Sequence, residues 1–413
     1  MRTATERPVR RAGMPYLISA ISVSNLADGI GKTAFPLLAA SMTRDPVVIG
    51  ALSAVAVLPW LLFSIATGVL LDRVDRRRAL ALANLARAVV IGALAVVLVV
   101  GAQTIWLVFV AALLVGTAET VADSAGNVLI PSVAGRERLD RANGQVQAAE
   151  VVGQSFLGPL AGSLTFAVFA AFPFVLNSIG FALAAALLVG IAGSHRPARV
   201  PDPRRAEHGD VRDGLSWLRG SPLIVRLMAI AAALGLTSEL AANQLVLYVL
   251  DDLRLSESMF GVFAAASGVG GLVGAGAPKL LRVMSRRAVL LGGMGVAGAS
   301  FLGMGLTGSP VLAAVLFGAF AVGIVAVNVV IATARHIAVP DGLLGRVLGM
   351  WRTAVWGAIP AGALLGGVTT RLFGSASATF LLSGSLLLAV CVVAVPTLRR
   401  FGRDLVPDAG RPR

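Results

Sequence analysis

The chain has 413 residues, of which 57% are hydrophobic and only 14% charged, with a formal net charge of +14. In a water-soluble fold that basic balance would suggest nucleic acid, yet so few charges cannot cover so much apolar surface. The composition excludes a soluble nucleic-acid binder and assigns the positive charge to lipid headgroups, beside a protein embedded in the bilayer.

An apolar helix needs roughly 20 residues to cross about 30 Å of hydrocarbon. Twelve such runs follow one another, at 14–40, 47–71, 79–101, 104–127, 144–168, 172–192, 223–250, 258–280, 288–307, 310–334, 347–370 and 375–397. The first is too long for a cleaved signal peptide, lacks a clear small-residue cleavage site and contains Asp28 and Lys32. The segments between runs sort the basic residues. Positions 1–13, 72–78, 136–141, 196–226, 279–287, 335–352 and 399–413 hold 30 of the 35 lysines and arginines, while the alternate connections carry only Arg44, Arg254 and Arg371. Positive charge on every second connection is the positive-inside pattern, and it predicts that both termini face the cytoplasm. The expected fold is therefore an all-α membrane protein of twelve transmembrane helices.

The longest polar stretch lies at 194–222 and separates six runs (1–193) from six (223–413). Its second half puts Val211, Leu215 and Leu218 on one helical face, which fits either a short interfacial helix with Trp217 at headgroup level or a solvated linker with one helical turn. The two halves repeat weakly. Residues 46–56 align with 258–268 through Gly50 and Gly261, 75–80 with 284–289, and 141–144 with 346–349. Their shared order supports two pseudo-symmetric six-helix bundles.

The connection between runs 2 and 3 reads Gly68-Val-Leu-Leu-Asp72-Arg73-Val-Asp75-Arg76-Arg77-Arg78, and run 5 carries Gly158-Pro159-Leu-Ala-Gly162. The first resembles the loop signature of the major facilitator superfamily, with Asp75 where a glycine is expected. The second is similar to the antiporter motif of that superfamily's exporters, with Gln154 in place of an upstream glycine. The wording of 24–39 and 116–131 looks most like actinobacterial drug and siderophore exporters.

The resemblance implies roles. Asp72 would accept bonds from the start of span 11, near 346–351, and Arg76 would meet Asp123 at the cytoplasmic end of span 4. Together with Gly68 and Arg73 they would latch the outward-facing state. Arg77 and Arg78 read as headgroup anchors. The arginine that the superfamily's exporters carry in span 4 is replaced by Ala112. Spans 1, 4, 7 and 10 would line the central cavity.

Charges inside a span are costly and normally face a cavity or a partner. They are Asp28 and Lys32 in span 1, Arg87 in span 3, Glu119 and Asp123 in span 4, Glu150 in span 5 and Glu239 in span 7, while span 10 offers only Asn328. Asp28 and Lys32 are one turn apart and are expected to pair. The repeat sets Glu239 opposite Asp28 and Asn243 opposite Lys32. Glu239, with an amide where its counterpart has an amine, is the acid expected to take up a coupling proton. Arg87 and Glu119 lie at similar depth and are expected to neutralise one another. Glu150 reads as structural or gating.

No P-loop is present; His195, His208 and His336 have no metal-ligand spacing; the single Cys391 excludes an internal disulfide. Neither an enzyme, a cofactor nor a metal is expected. The favoured reading is a proton-coupled exporter of a small amphiphilic compound (a drug, antibiotic or siderophore), monomeric, in a bacterial inner membrane. An importer or facilitator of the same fold, and a non-transport sensor, are the other classes.

Overall fold

The computed structural model describes residues 6–71, 73–134, 139–191, 193, 211–281, 283–340 and 343–400. Among these residues the regular elements are helices: α1 (Glu6–Met42), α2 (Pro46–Leu71), α3 (Arg76–Val99), α4 (Ile105–Ala134), α5 (Leu139–Ala149), α6 (Gly158–Val168), α7 (Phe172–Val189), α8 (Val211–Arg219), α9 (Pro222–Ala242), α10 (Leu245–Leu247), α11 (Glu257–Ala275), α12 (Ala277–Leu280), α13 (Arg286–Leu306), α14 (Pro310–Ala338), α15 (Leu344–Phe373) and α16 (Ala376–Arg400). A π-helical stretch at Glu150–Leu157 joins α5 to α6, and another at Tyr248–Asp252 follows α10. Span 5 is thus α5 to α6, and span 7 is α9, α10 and the second π stretch.

Among the described residues ten helical stretches are long and apolar enough to cross a membrane. They carry all the expected runs but the first and eleventh, which fall on α1 and α15. At 37 and 30 residues these two helices are long enough; what they lack is uniform apolarity. α1 carries Ser22, Ser24, Asn25, Asp28 and Lys32, and α15 carries Arg352, Thr353, Thr369 and Thr370. Such residues are tolerated at membrane depth where they meet protein or water rather than lipid.

The helix starts follow from local chemistry. Asp75 caps α3, its carboxylate accepting from the N–H groups of Arg77 and Arg78 at 3.0 and 3.2 Å. Ser285 caps α13 in the same way, through Ala288 N–H at 3.1 Å. Pro222 and Pro310 begin α9 and α14, where a missing N–H costs no helical bond. In the linker, α8 forms, with Leu218 buried and Leu215 exposed; positions 194–210 and the side chain of Val211 lie outside the described residues.

The chain divides into two compact units. The first comprises Met1–Arg44, Leu52–Val200 and Arg254–Ala265; the second comprises Asp45–Ala51, Pro201–Leu253 and Ala266–Arg413. A hydrophobic core cluster of the first unit contains Leu17, Leu71, Leu80, Leu129, Ile130, Val133 and Leu188, drawn from α1, α2, α3, α4 and α7. The second unit is built on aromatic rings. Phe301 of α13 stacks on Phe320 at 3.9 Å between centroids and meets Phe380 of α16 edge-on at 5.0 Å. Tyr248 packs against Phe380, and its hydroxyl donates to Met304 O at 2.7 Å.

Candidate functional site

In the first unit the site is assembled around Arg87 on α3, a fully buried guanidinium. One nitrogen donates to Asp28 Oδ1 at 2.8 Å, and another to Asn84 Oδ1 at 2.5 Å and Ser24 Oγ at 3.1 Å. The flat face lies 4.0 Å from the ring centroid of Phe181 on α7. Ser24 also donates to Asn84 at 3.3 Å. Three helices therefore converge on one cation, which is paired and hydrogen-bonded through its two terminal nitrogens, as a charge buried among apolar helices requires, while its buried Nε has no partner.

This arrangement revises two expected pairings. Asp28 is bound by Arg87 of another helix rather than by Lys32 one turn along its own. Lys32 instead approaches Glu119 of α4, at 4.0 Å, and Arg87 leaves Glu119 to it. The planar fork of arginine engages several acceptors at once, which a lysine ammonium cannot do with fixed geometry. Helical spacing gives Asp28 and Lys32 proximity but does not outweigh that. Ser24, Asn84 and Phe181 lie outside the set that the sequence points to. The usable signal was the spacing: Asn84 precedes Arg87, and Ser24 precedes Asp28, by about one turn on the same face.

Asp123, one turn beyond Glu119, is exposed and within electrostatic range of Glu119, Asp28, Arg87 and Lys32. Among the described residues no hydrogen bond or ion pair joins it to Arg76, whose buried Nε has no partner. Asp72 lies outside the described residues. Arg73 is exposed, and Gly68 is exposed with open space around its Cα. Asp75, the departure from the loop signature, is the cap of α3. Arg77, read as a headgroup anchor, donates to Ile191 O beyond the end of α7.

The antiporter-like motif sits directly behind Asp28. A Cβ on Gly158 would fall on the backbone of Gly29, and one on Gly162 on the backbone of Ile30. Span 5 and α1 thus touch main chain to main chain at the turn bearing Asp28, an approach only glycine permits. Pro159 is buried just after the π stretch. Its missing N–H and its ring are incompatible with a regular α-helical ladder there, and the Gly158 N–H reaches back to Gly153 O across the wider turn. Glu150 begins that stretch, exposed, and accepts from Gln147 at 3.4 Å.

In the second unit Glu239 lies in the last turn of α9. Its Oε2 accepts from Asn243 Nδ2 at 2.6 Å, and the same amide donates to Glu239 O at 3.0 Å. Asn243 is the C-cap where span 7 breaks before α10. Among the described residues no cation pairs with Glu239. Gln244, fully buried, donates to Pro46 O at 3.3 Å and leaves its Oε1 without a partner. Asn328 is exposed on α14 and takes no part in the Glu239–Asn243 contact.

The repeat marker residues occupy matching surroundings within their respective units. A Cβ on Gly50 would strike Ala363 O of α15, and one on Gly261 would strike Pro159 O and Ser163 of α6. Among the described residues no cluster of His, Cys, Asp and Glu has the form of a metal site.

The sequence pattern of the Major Facilitator Superfamily matches residues 17–340. The chain is 25% identical over 406 residues to the MFS-type transporter YfiS of Bacillus subtilis, covering 94% of each chain. It is 26% identical over 407 residues to the multidrug efflux pump Tap of Mycolicibacterium fortuitum, covering 95% of this chain and 98% of that one. The class C tetracycline resistance protein of Escherichia coli matches at 27% identity over 169 residues, 40% of this chain and 41% of that one. Among solved structures, a mutant form of the nucleoside transporter NupG superposes with a TM-score of 0.76 at 12% identity, covering 93% of this chain and 99% of that one. A bacterial homologue of the lysosomal transporter Spinster, inward-facing and occupied, superposes at 0.74 with 14% identity, covering 98% and 100%. These two likenesses show the fold.

Proposed function

This chain belongs to the major facilitator superfamily of membrane transporters, and on that premise we propose that it is a proton-coupled exporter of a small amphiphilic compound, working by alternating access. The observation that carries the reading is Glu239, a carboxylate inside an apolar span whose partner among the described residues is an amide. A lone acid at membrane depth is stable when neutral and must be solvated or paired when charged. It can therefore report which side of the membrane it faces by its protonation. Coupling needs only that one access state holds the proton more tightly than the other.

The direction of transport draws support from two sources. The Gly158-Pro159-Leu-Ala-Gly162 motif resembles that of exporters, and two relatives bear the names of a multidrug efflux pump and a tetracycline resistance protein. The further assignments belong to the same proposal. The cavity would be lined by Asp28, Lys32, Glu119, Glu239, Asn243 and Asn328. Gly68, Asp72, Arg73, Arg76 and Asp123 would form a latch that closes in another state. Residues 1–193 and 223–413 would be the two rocking bundles, with both termini in the cytoplasm of a bacterial cell and the protein a monomer in its inner membrane.

The test uses purified protein in proteoliposomes, with an imposed pH gradient and tetracycline as the probe. Wild-type protein should move tetracycline uphill at the expense of the gradient. Glu239→Gln, near-isosteric and permanently neutral, should lose uphill movement while downhill exchange survives. Unchanged uphill transport by Glu239→Gln would remove this residue from the coupling mechanism, and gradient-independent movement by the wild type would reject proton coupling altogether.

A further inference from the structure

The aligned helices α3 and α13 begin with different charge. Asp75 caps α3, immediately before Arg76, Arg77 and Arg78. Ser285 caps α13, immediately before Arg286 and Arg287. The second unit thus keeps the arginines and replaces the capping carboxylate by a neutral hydroxyl. Arg286 and Arg287 are half-buried, and among the described residues no acid pairs with either.

Arg335, in the last turn of α14, reaches the same level. Where α13 and α14 touch, a Cβ on Gly293 would strike Gly323 O and Val327 Cγ2. Arg286 lies seven residues from Gly293 toward the start of α13, and Arg335 eight residues from Val327 toward the end of α14. At 1.5 Å per residue these are about 10 and about 12 Å along antiparallel helices, so the two arginines share a depth. The Arg335 guanidinium lies 4.9 Å from the ring centroid of Trp351, a buried indole of α15. Its buried Nε has no partner, and no ion pair joins it to another described residue. With one face on the indole, Arg335 offers its terminal N–H groups, in the fork that matches a phosphate. Beside these cations stand exposed apolar side chains. Val283 and Met284, just before the Ser285 cap, are 83% and 44% exposed, and Ile337, two residues beyond Arg335, is 48% exposed.

We infer that this end of α13 and α14 is a binding site for an anionic phospholipid, its phosphate held by Arg335, Arg286 and Arg287 and its apolar part lying against Val283, Met284 and Ile337. Charge complementarity selects the class. Three arginines with no paired acid among the described residues attract a net negative headgroup, and they repel the ammonium of a zwitterionic one. The exposed apolar side chains select a lipid over a soluble phosphate, which gains nothing from them. Stacking on Trp351 holds the Arg335 guanidinium in one orientation, which separates a site from a diffuse basic surface. The cytoplasmic leaflet follows from the orientation proposed above; binding itself depends neither on that orientation nor on proton coupling.

Native mass spectrometry of the full-length protein released from detergent micelles counts bound lipids, with dioleoyl phosphatidylglycerol and dioleoyl phosphatidylcholine as probes that share their chains. Wild type should retain phosphatidylglycerol in preference. Arg335→Gln should weaken phosphatidylglycerol binding about tenfold, the loss of one charge-assisted contact, and leave phosphatidylcholine binding unchanged. The double variant Arg286→Gln with Arg287→Gln should do the same, and it decides alone should Arg335→Gln fail to fold. Arg141→Gln, at an exposed arginine of the first unit, should keep the wild-type preference. A wild type without preference overturns the inference, as does a preference unchanged in either folded variant. An equal loss in Arg141→Gln would reduce the site to diffuse attraction by a basic surface and overturn it too. Displacement of phosphatidylglycerol by an equal concentration of inorganic phosphate would assign the arginines to a soluble anion and reject the lipid.

Discussion

Asp28 and Glu239, which the sequence alignment of the two halves sets opposite one another, are held by opposite means. Asp28 takes its partner from a different helix, 59 residues away, in a network that ties α1 to α3 and lies against α7. Glu239 takes its partner from its own helix, four residues on. The difference lies in the side chains beside each acid. Lys32 is long enough to leave Asp28 and reach α4, while the short amide of Asn243 can bond only within its own turn. The two aligned acids thus differ in their partners: one is bound by a guanidinium from another helix, the other by an amide of its own turn.

The sharpest way to break this contrast is to remove Arg87. Arg87→Leu leaves Asp28 in a buried site without its counter-charge and should cost about 3–5 kcal/mol. Thermal unfolding in detergent followed by size-exclusion chromatography would read the loss. Replacing both partners, Arg87→Leu with Asp28→Leu, should recover most of it; a double variant no more stable than the single would mean that the pair is not the unit of stabilisation.

Gly158→Ala comes next. It places a methyl group on the Gly29 main chain and should cost about 1–3 kcal/mol as overpacking. An unaffected melting midpoint would show that span 5 can retreat from α1, so that Asp28 is less firmly held than the close approach implies.

On the other side of the comparison, Asn243→Ala removes one hydrogen bond from Glu239 and should cost about 1 kcal/mol. A loss as large as that of Arg87→Leu would make Glu239–Asn243 a structural joint too, and would erase the distinction.

The smallest effect is expected at the Asp45–Arg371 ion pair, where Arg371 at the end of α15 donates to Asp45. Its hydrogen bond to Arg371 holds the Asp45 carboxyl below the usual carboxylate range, and a bond from Val47 N–H at 2.9 Å adds to this. A lowered carboxyl contributes stability that is complete above the ordinary aspartate range and is lost as pH falls through the folded-state value. Arg371→Gln should therefore leave the melting midpoint almost unchanged near neutrality, because the pair is exposed and screened. Whatever difference exists should vanish on acidification. A difference that grew in acid would have the wrong sign for this pair.

What could be read in the residues themselves was the membrane setting, the sequence of apolar runs, the weak repeat and the identity of the charged residues inside spans. Each depends on composition or on spacing along one helix. The resemblance carried by 68–78 and 158–162 likewise lay in local words, and the family match bears it out. Even the cap at Asp75 is a local matter, visible as an acid just before a helical run, although the loop signature drew attention to the glycine it replaces.

The pairing of charges was decided only by the tertiary structure. Asp28 had Lys32 at helical spacing and no sequence cue toward Arg87, and Glu119 had Arg87 at similar depth. Which cation meets which acid depends on how α1, α3 and α4 are rotated against one another, and on the Phe181 ring and the Asn84 amide that make Arg87 at home in a dry pocket. Those contacts join residues far apart in the chain, 59 positions in the case of Asp28 and Arg87, so no local pattern encodes them. The glycines of span 5 follow the same logic. Their small size was legible, but the main chain of Gly29 against which they lie was supplied by the packing of two helices.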